Sequence, residues 1–144
     1  MFENARVGWT TSAAILAGVC LFWVGCSDSR VAKLTPSGAT PAAEGTVTSR
    51  QGENGNTHLE VTVNYLAPPQ KIAKNAAVYV VWATPPAGSK SQNIGALKVG
   101  EGRSGMLDTT TPLTDFDLRI TPESAATVEA PSGEAVLTGH VQLK

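Results

Sequence analysis

Beyond Gly45 the apolar and polar positions alternate with a period of two, and no stretch keeps the 3.6-residue period of an amphipathic helix. Leu59, Val61, Val63 and Tyr65 alternate with His58, Glu60, Thr62 and Asn64. Phe116, Leu118 and Ile120 alternate with Asp115, Asp117 and Arg119, and Leu137, Val141 and Leu143 with Thr138, His140 and Gln142. Each run reads as a strand with one buried face. Residues 77–83 (AVYVVWA) are apolar on both faces and read as a central strand. Weaker strands fit 45–50, 93–99 and 105–110, and one helical turn fits 70–75, after Pro69. Gly-Glu-Asn-Gly at 52–55, the Pro-Pro pairs at 68–69 and 85–86, Gly100-Glu101-Gly102, Pro112 and Pro131-Ser132-Gly133 supply the turns. Seven short strands so punctuated predict an all-β fold, a single antiparallel β-sandwich of immunoglobulin-like size.

The N-terminal pattern is different. Val7 to Gly25 is a run of 19 uncharged residues, strongly apolar from Ala13 to Val24, with Arg6 ahead of it and Cys26-Ser27-Asp28-Ser29 after it. A positive start, an apolar stretch and a small residue at its end make an export signal. Val24-Gly25-Cys26 resembles the end of a bacterial lipobox, where cleavage precedes a cysteine that becomes diacylated, although Trp23 replaces the usual aliphatic residue. Lipidation at Cys26, an uncleaved helical anchor of the roughly 20 residues a bilayer needs, and plain secretion all export the rest of the chain. The organisation expected is a signal peptide or membrane anchor over 1–25, a flexible tether over 26–44 and the β-sandwich over 45–144. Small residues and two prolines without apolar period motivate the tether. The location expected is the bacterial cell envelope, periplasmic or on the outer face.

Composition narrows the function classes. In 144 residues, 11 Lys and Arg face 12 Asp and Glu, for a net charge of -1, so no basic footprint points to nucleic acid. The two cysteines, Cys20 and Cys26, are too few for a disulfide framework, and cleavage leaves Cys26 alone.

Candidate chemistry is sparse. His58 and His140 are each expected on an outward strand face, as solvated histidines; were their strands adjacent they could share a metal, but no third ligand is evident. Asp115 and Asp117 share one face by the i, i+2 rule, and with Arg119 following they read as a solvated charge ladder rather than an acid–base pair. Gly100-Glu101-Gly102 lacks the lysine and helix of a phosphate loop. No enzyme activity, cofactor or metal is therefore expected.

Binding has more support. Tyr79 and Val81 point opposite to Val78, Val80 and Trp82, and a sandwich buries one of these faces in its core. Trp82 and Phe116 are assigned to the core, which leaves the Tyr79 face to be covered by a loop, by the segment after Pro68, or by a partner. Residues 121–134 are long for a sandwich loop, and they either form one or hide a short strand at 127–129. The expected contact surface comprises Tyr79, Val81, Pro85, Pro86, Lys90, Glu123 and Val128.

Four segments carry a resemblance: Val78-Tyr79-Val80-Val81-Trp82 with the following Pro85-Pro86-Ala87-Gly88; Ile94-Gly95-Ala96-Leu97; Phe116-Asp117-Leu118-Arg119-Ile120-Thr121-Pro122-Glu123; and Pro131-Ser132-Gly133-Glu134-Ala135-Val136-Leu137. In this order, over about residues 65–141, the chain resembles the extracytoplasmic domain of anti-sigma-K (RskA-type) regulators, with their Tyr-x-x-Trp, Ile-Gly-x-Leu and Phe-x-Val-Thr-x-Glu strands. These are marks of a β-sandwich rather than of catalysis. Only Met1 to Arg6 precede the apolar run, so a cytoplasmic sigma-binding domain is not expected. The resemblance implies a sensor-type outer domain on a lipid or membrane anchor, with an envelope protein as partner. A small-ligand or glycan-binding module is the alternative; it would require exposed aromatics.

Overall fold

A computed structural model describes residues 28–143. The segment 1–25, expected to be a signal or anchor, and Cys26 lie outside the described residues. Eight strands and one short helix follow in the order β1 (Ser29–Pro36), β2 (Glu44–Gln51), β3 (Thr57–Asn64), α1 (Pro69–Ile72), β4 (Val78–Thr84), β5 (Gln92–Val99), β6 (Gly105–Thr111), β7 (Asp115–Glu123) and β8 (Leu137–Gln142). All seven strands expected from alternation are present, and α1 opens with Pro69 in its first turn, where a missing N–H costs no helical bond. No strand forms at 127–129.

All pairings are antiparallel, and the strand order β1-β2-β3-β6-β5-β4-β7-β8 closes on itself as a barrel. The all-β, antiparallel class is as expected, but the sheet closes into a barrel instead of separating clearly into the two layers of a β-sandwich. Strands β4, β5 and β6 follow one another as hairpins and β7 returns beside β4, a Greek key. Two four-stranded arcs, β1-β2-β3-β6 and β5-β4-β7-β8, meet at two short seams. At one, Lys98 and Val99 of β5 pair with Met106 and Gly105 of β6. At the other, Thr35 and Pro36 of β1 pair with Thr138 and Leu137 of β8.

The closing strand β1 corrects a second expectation, because it occupies part of the stretch assigned to the tether. It pairs with β2 from Ser29↔Arg50 to Leu34↔Gly45, then crosses to β8. Its sequence hides this role. Leu34 is its only buried residue, while Val31 remains 68% exposed. Leu34 fits because its two neighbours have no side chains. A Cβ on Gly45 would stand 2.9 Å from Leu34 Cδ1, and one on Gly139 would stand 2.5 Å from Leu34 Cδ2. The two glycines thus grip one leucine from both sides of the seam.

Inside the barrel the alternating positions converge. Val47 of β2, Leu59, Val61 and Val63 of β3, Tyr79, Val81 and Ala83 of β4, Leu97 of β5, and Phe116, Leu118 and Ile120 of β7 form one buried cluster. Leu66 and Ile72, from the connection between β3 and β4, pack on it at one end. β4 is central, between β5 and β7, and Val80 to Ala83 are fully buried. Its inner face is the one carrying Tyr79 and Val81. Both are removed from the expected contact surface, since each is 0% exposed inside the barrel. Trp82 is buried as expected, but on the outer face of the sheet.

Two stability outcomes follow from this packing. Leu34→Ala, which leaves the seam between two glycines empty, should lower unfolding free energy by about 2–5 kcal/mol in denaturant titration. Trp82→Ala should cost roughly 3–5 kcal/mol; an unchanged midpoint would place the indole at the surface.

Candidate functional site

The outer face of β4 is apolar and fully buried at Val80 and Trp82, and the loop 124–136 is fastened to the sheet through Glu123 and Asn93. The fastening is made by polar groups. Trp82 Nε1 donates to Thr121 Oγ1 at 2.8 Å, and that hydroxyl donates onward to Glu123 Oε1 at 2.6 Å. Glu123 Oε1 also accepts from the backbone N–H groups of Ser132 at 2.9 Å and Gly133 at 3.3 Å, and its Oε2 accepts from the Ser132 hydroxyl. Burial pushes the Glu123 carboxyl up, but the hydrogen bonds from Ser132, Thr121 and Gly133 outweigh it and hold its pKa below the ordinary value. Glu123 was expected on the contact surface. It is 1% exposed and serves instead as the internal anchor of the loop. A Cβ on Gly133 would lie 2.5 Å from the Pro122 carbonyl, so only glycine brings this N–H within reach of the carboxylate.

Farther along, a second fastening shapes the surface. Asn93 Nδ2, at the start of β5, donates to the carbonyls of Ala126 and Val128, both at 2.9 Å, while its Oδ1 accepts from Gly95 N at 3.1 Å. One amide thereby holds the loop against β5 and leaves an open cleft of about 680 Å³ between them. Ser89, Lys90, Gln92 and Asn93 form one wall, and Thr127, Val128 and Glu129 the other. Of the residues expected at a contact surface, the fold brings Lys90 and Val128 together here, across the cleft. Pro85 is half-buried and Pro86 exposed, on the turn that leads to Lys90. Nearby, the Thr84 and Ser91 hydroxyls bond at 2.8 Å and tie the two ends of that turn.

The walls offer one cation, Lys90, one carboxylate, Glu129, several hydroxyls and amides, and a half-buried valine. Such a surface suits a polar extended segment with an apolar side chain for Val128. Glu129 falls within the 121–134 loop, whereas Asn93 lies outside the expected contact residues. A side-chain amide reaching carbonyls more than thirty positions away leaves no local mark in the sequence, although Asn in place of an apolar residue on a strand was the available sign.

The histidines fall elsewhere. β1 and β2 lie between β3 and β8, so His58 and His140 are not brought together. His58 Nε2 stands 2.9 Å from Asp108 Oδ1 on the neighbouring strand. His140 sits between the two β7 carboxylates, its Nε2 3.2 Å from Asp115 Oδ1 and its Nδ1 2.9 Å from Asp117 Oδ1. Asp117 and His140 are a direct cross-strand pair, a partly exposed contact worth a fraction of a kcal/mol. Among the described residues no group of three or more His, Cys, Asp or Glu is arranged to hold a metal ion. The hydroxyl of Tyr79 donates to the Ala67 carbonyl at 2.7 Å, and burial pushes its pKa up to about 12.

Because the folded-state pKa of Glu123 is lowered, its contribution is complete above the unfolded carboxylate value and is lost as pH falls through the folded value. Stability should therefore fall on acidification below about pH 4 in part through this group, and Glu123→Gln should flatten that part of the profile in urea titrations. Glu123→Ala at neutral pH should cost about 3 kcal/mol, because several buried donors lose their acceptor together. No family model matches the chain, and no curated protein matches it.

Proposed function

We propose that this chain is a non-enzymatic bacterial cell-envelope lipoprotein, held by a lipid at Cys26, whose β domain is a protein-interaction or sensing module. The reading joins two lines. The export pattern ending in Gly25-Cys26 supports an anchored protein outside the cytoplasm. The cleft between the start of β5 and the 124–136 loop carries the binding part, because two separate segments are fastened through Asn93 so as to present Lys90, Val128 and Glu129 outward. The likeness to the outer domain of anti-sigma-K regulators is a likeness of strand motifs, and it supports a sensing role in the envelope without naming the partner.

Protein contact is favoured over sugar binding by the fate of the aromatics. Tyr79, Trp82 and Phe116 are wholly buried, and Tyr65, at 61% exposure, is the one aromatic side chain exposed among the described residues. A glycan site stacks sugars on exposed rings. The cleft has none.

Two measurements test the reading. Metabolic labelling with a fatty-acid analogue should mark the wild-type protein and leave Cys26→Ala unlabelled; undiminished label on the variant would remove the anchor assignment. In-cell crosslinking of a tagged copy, through a photoreactive residue placed at Ser89, should capture a defined envelope protein, and capture should be lost in Lys90→Glu and in Val128→Asp while the thermal midpoint holds. Equal capture by both folded variants would move the contact away from the cleft.

A further inference from the structure

We infer that the barrel stands end-on upon the membrane, with the end that carries the β2–β3, β4–β5 and β6–β7 turns against the lipid headgroups and the Tyr65 end pointing away. This rests on the proposed acylation of Cys26. The new element is where β1 begins. A flexible spacer through residue 44 would let the domain roam, but the chain enters the barrel at Ser29, three residues after Cys26. Three residues reach at most about 11 Å even when fully extended. An eight-residue strand such as β3 runs for about 25 Å. The leash is shorter than the barrel.

Register fixes which end is leashed. Ser29 lies opposite Arg50, at the close of β2, and Gln51 lies opposite Thr57, where β3 begins. Thr57 in turn lies opposite Thr111, the last residue of β6. Residues 52–56, 112–114 and 85–91 therefore turn at the same end as Ser29. At the opposite end lie residues 37–43, residues 100–104, Tyr65 and α1. The leashed end is compatible with a headgroup layer of either kind, since Arg30, Arg50 and Lys90 stand there with Asp28, Glu53 and Asp115. Arg30 and Asp28 form an ion pair at 3.6 Å. The cleft beside Lys90 opens near this end, so a partner that fills it approaches along the membrane surface, as the juxtamembrane segment of a membrane protein does.

The test uses the acylated full chain in vesicles of phosphatidylethanolamine and phosphatidylglycerol. Signal cleavage removes Cys20 and acylation blocks Cys26, so an introduced cysteine is the only free thiol. Asn54→Cys marks the leashed end and Gly102→Cys the far end; both positions are exposed, and a side chain at Gly102 meets nothing within 4 Å. Each is labelled with a bulky polyethylene-glycol maleimide in vesicles and in detergent. The expected result is labelling of Asn54→Cys slowed about tenfold by the vesicles, with Gly102→Cys unchanged, as the short leash requires. Inserting about 15 Gly and Ser residues before Asp28, a coil of roughly 20 Å, should restore the rate. Equal rates at the two positions in vesicles would overturn the inference as a freely turning domain, and equal slowing would overturn it as a barrel lying on its side. Failure of the acylation itself appears separately, as a wild-type chain that takes up no fatty acid and does not float with the vesicles.

Discussion

The buried carboxylate of Glu123 is the constraint on which the outer half of this structure depends. β4 is apolar on both faces, and a barrel wall has only one inside. The second face is buried at Val80 and Trp82 as well, and the loop 124–136 is fastened to the sheet through Glu123 and Asn93. A carboxylate taken out of water is costly unless it is saturated with donors. Here Thr121, Ser132 and Gly133 saturate it, and the donors come from the strand beneath and from the returning loop. Satisfying the charge and fastening the loop are therefore one event. The Thr121 hydroxyl extends the network inward, accepting from Trp82 while donating to Glu123, so the largest buried side chain reports on the same fastening.

Closure depends on a subtler fit. Without β1, strands β2 and β8 would each present a bare edge, and bare edges invite pairing with other chains. β1 removes both by serving first one arc and then the other. The pairs that bind it to β8 are few, and packing supplements them through Leu34, seated between Gly45 and Gly139. At the opposite seam a side-chain bond does comparable work, as Thr109 Oγ1 donates to the Ile94 carbonyl at 2.7 Å. Each join combines a short ladder with a contact specific to its residues.

Alternation made most of the fold legible, and its exceptions have physical causes. The runs around Val61, Leu118 and Val141 declared themselves because one face meets the core and the other water. β4 was legible as central, but its facing was not. When both faces are buried, apolar content cannot tell Tyr79 and Val81 from Val80 and Trp82, and the large indole lies on the outside. β1 was invisible because it buries Leu34 alone, and a strand that contributes pairing rather than hydrophobic area has no periodic signal. Glu123 in an exposed-looking loop reads as a surface acid until the donors around it are known. The segments flanking the cleft were legible as a turn and a long loop; that Asn93 joins them depends on a contact between distant positions.

The course of β1 has a mechanical meaning as well. It runs lengthwise up the barrel from Ser29, hydrogen-bonded along its side to β2. A pull arriving through the preceding chain acts parallel to the strand, so the bonds of that ladder are loaded together in shear instead of being opened one after another. The same tension drags Leu34 out from between its glycines only by moving the whole strand. A strand held along its whole side in this way resists a pull from its N-terminal end without unravelling there.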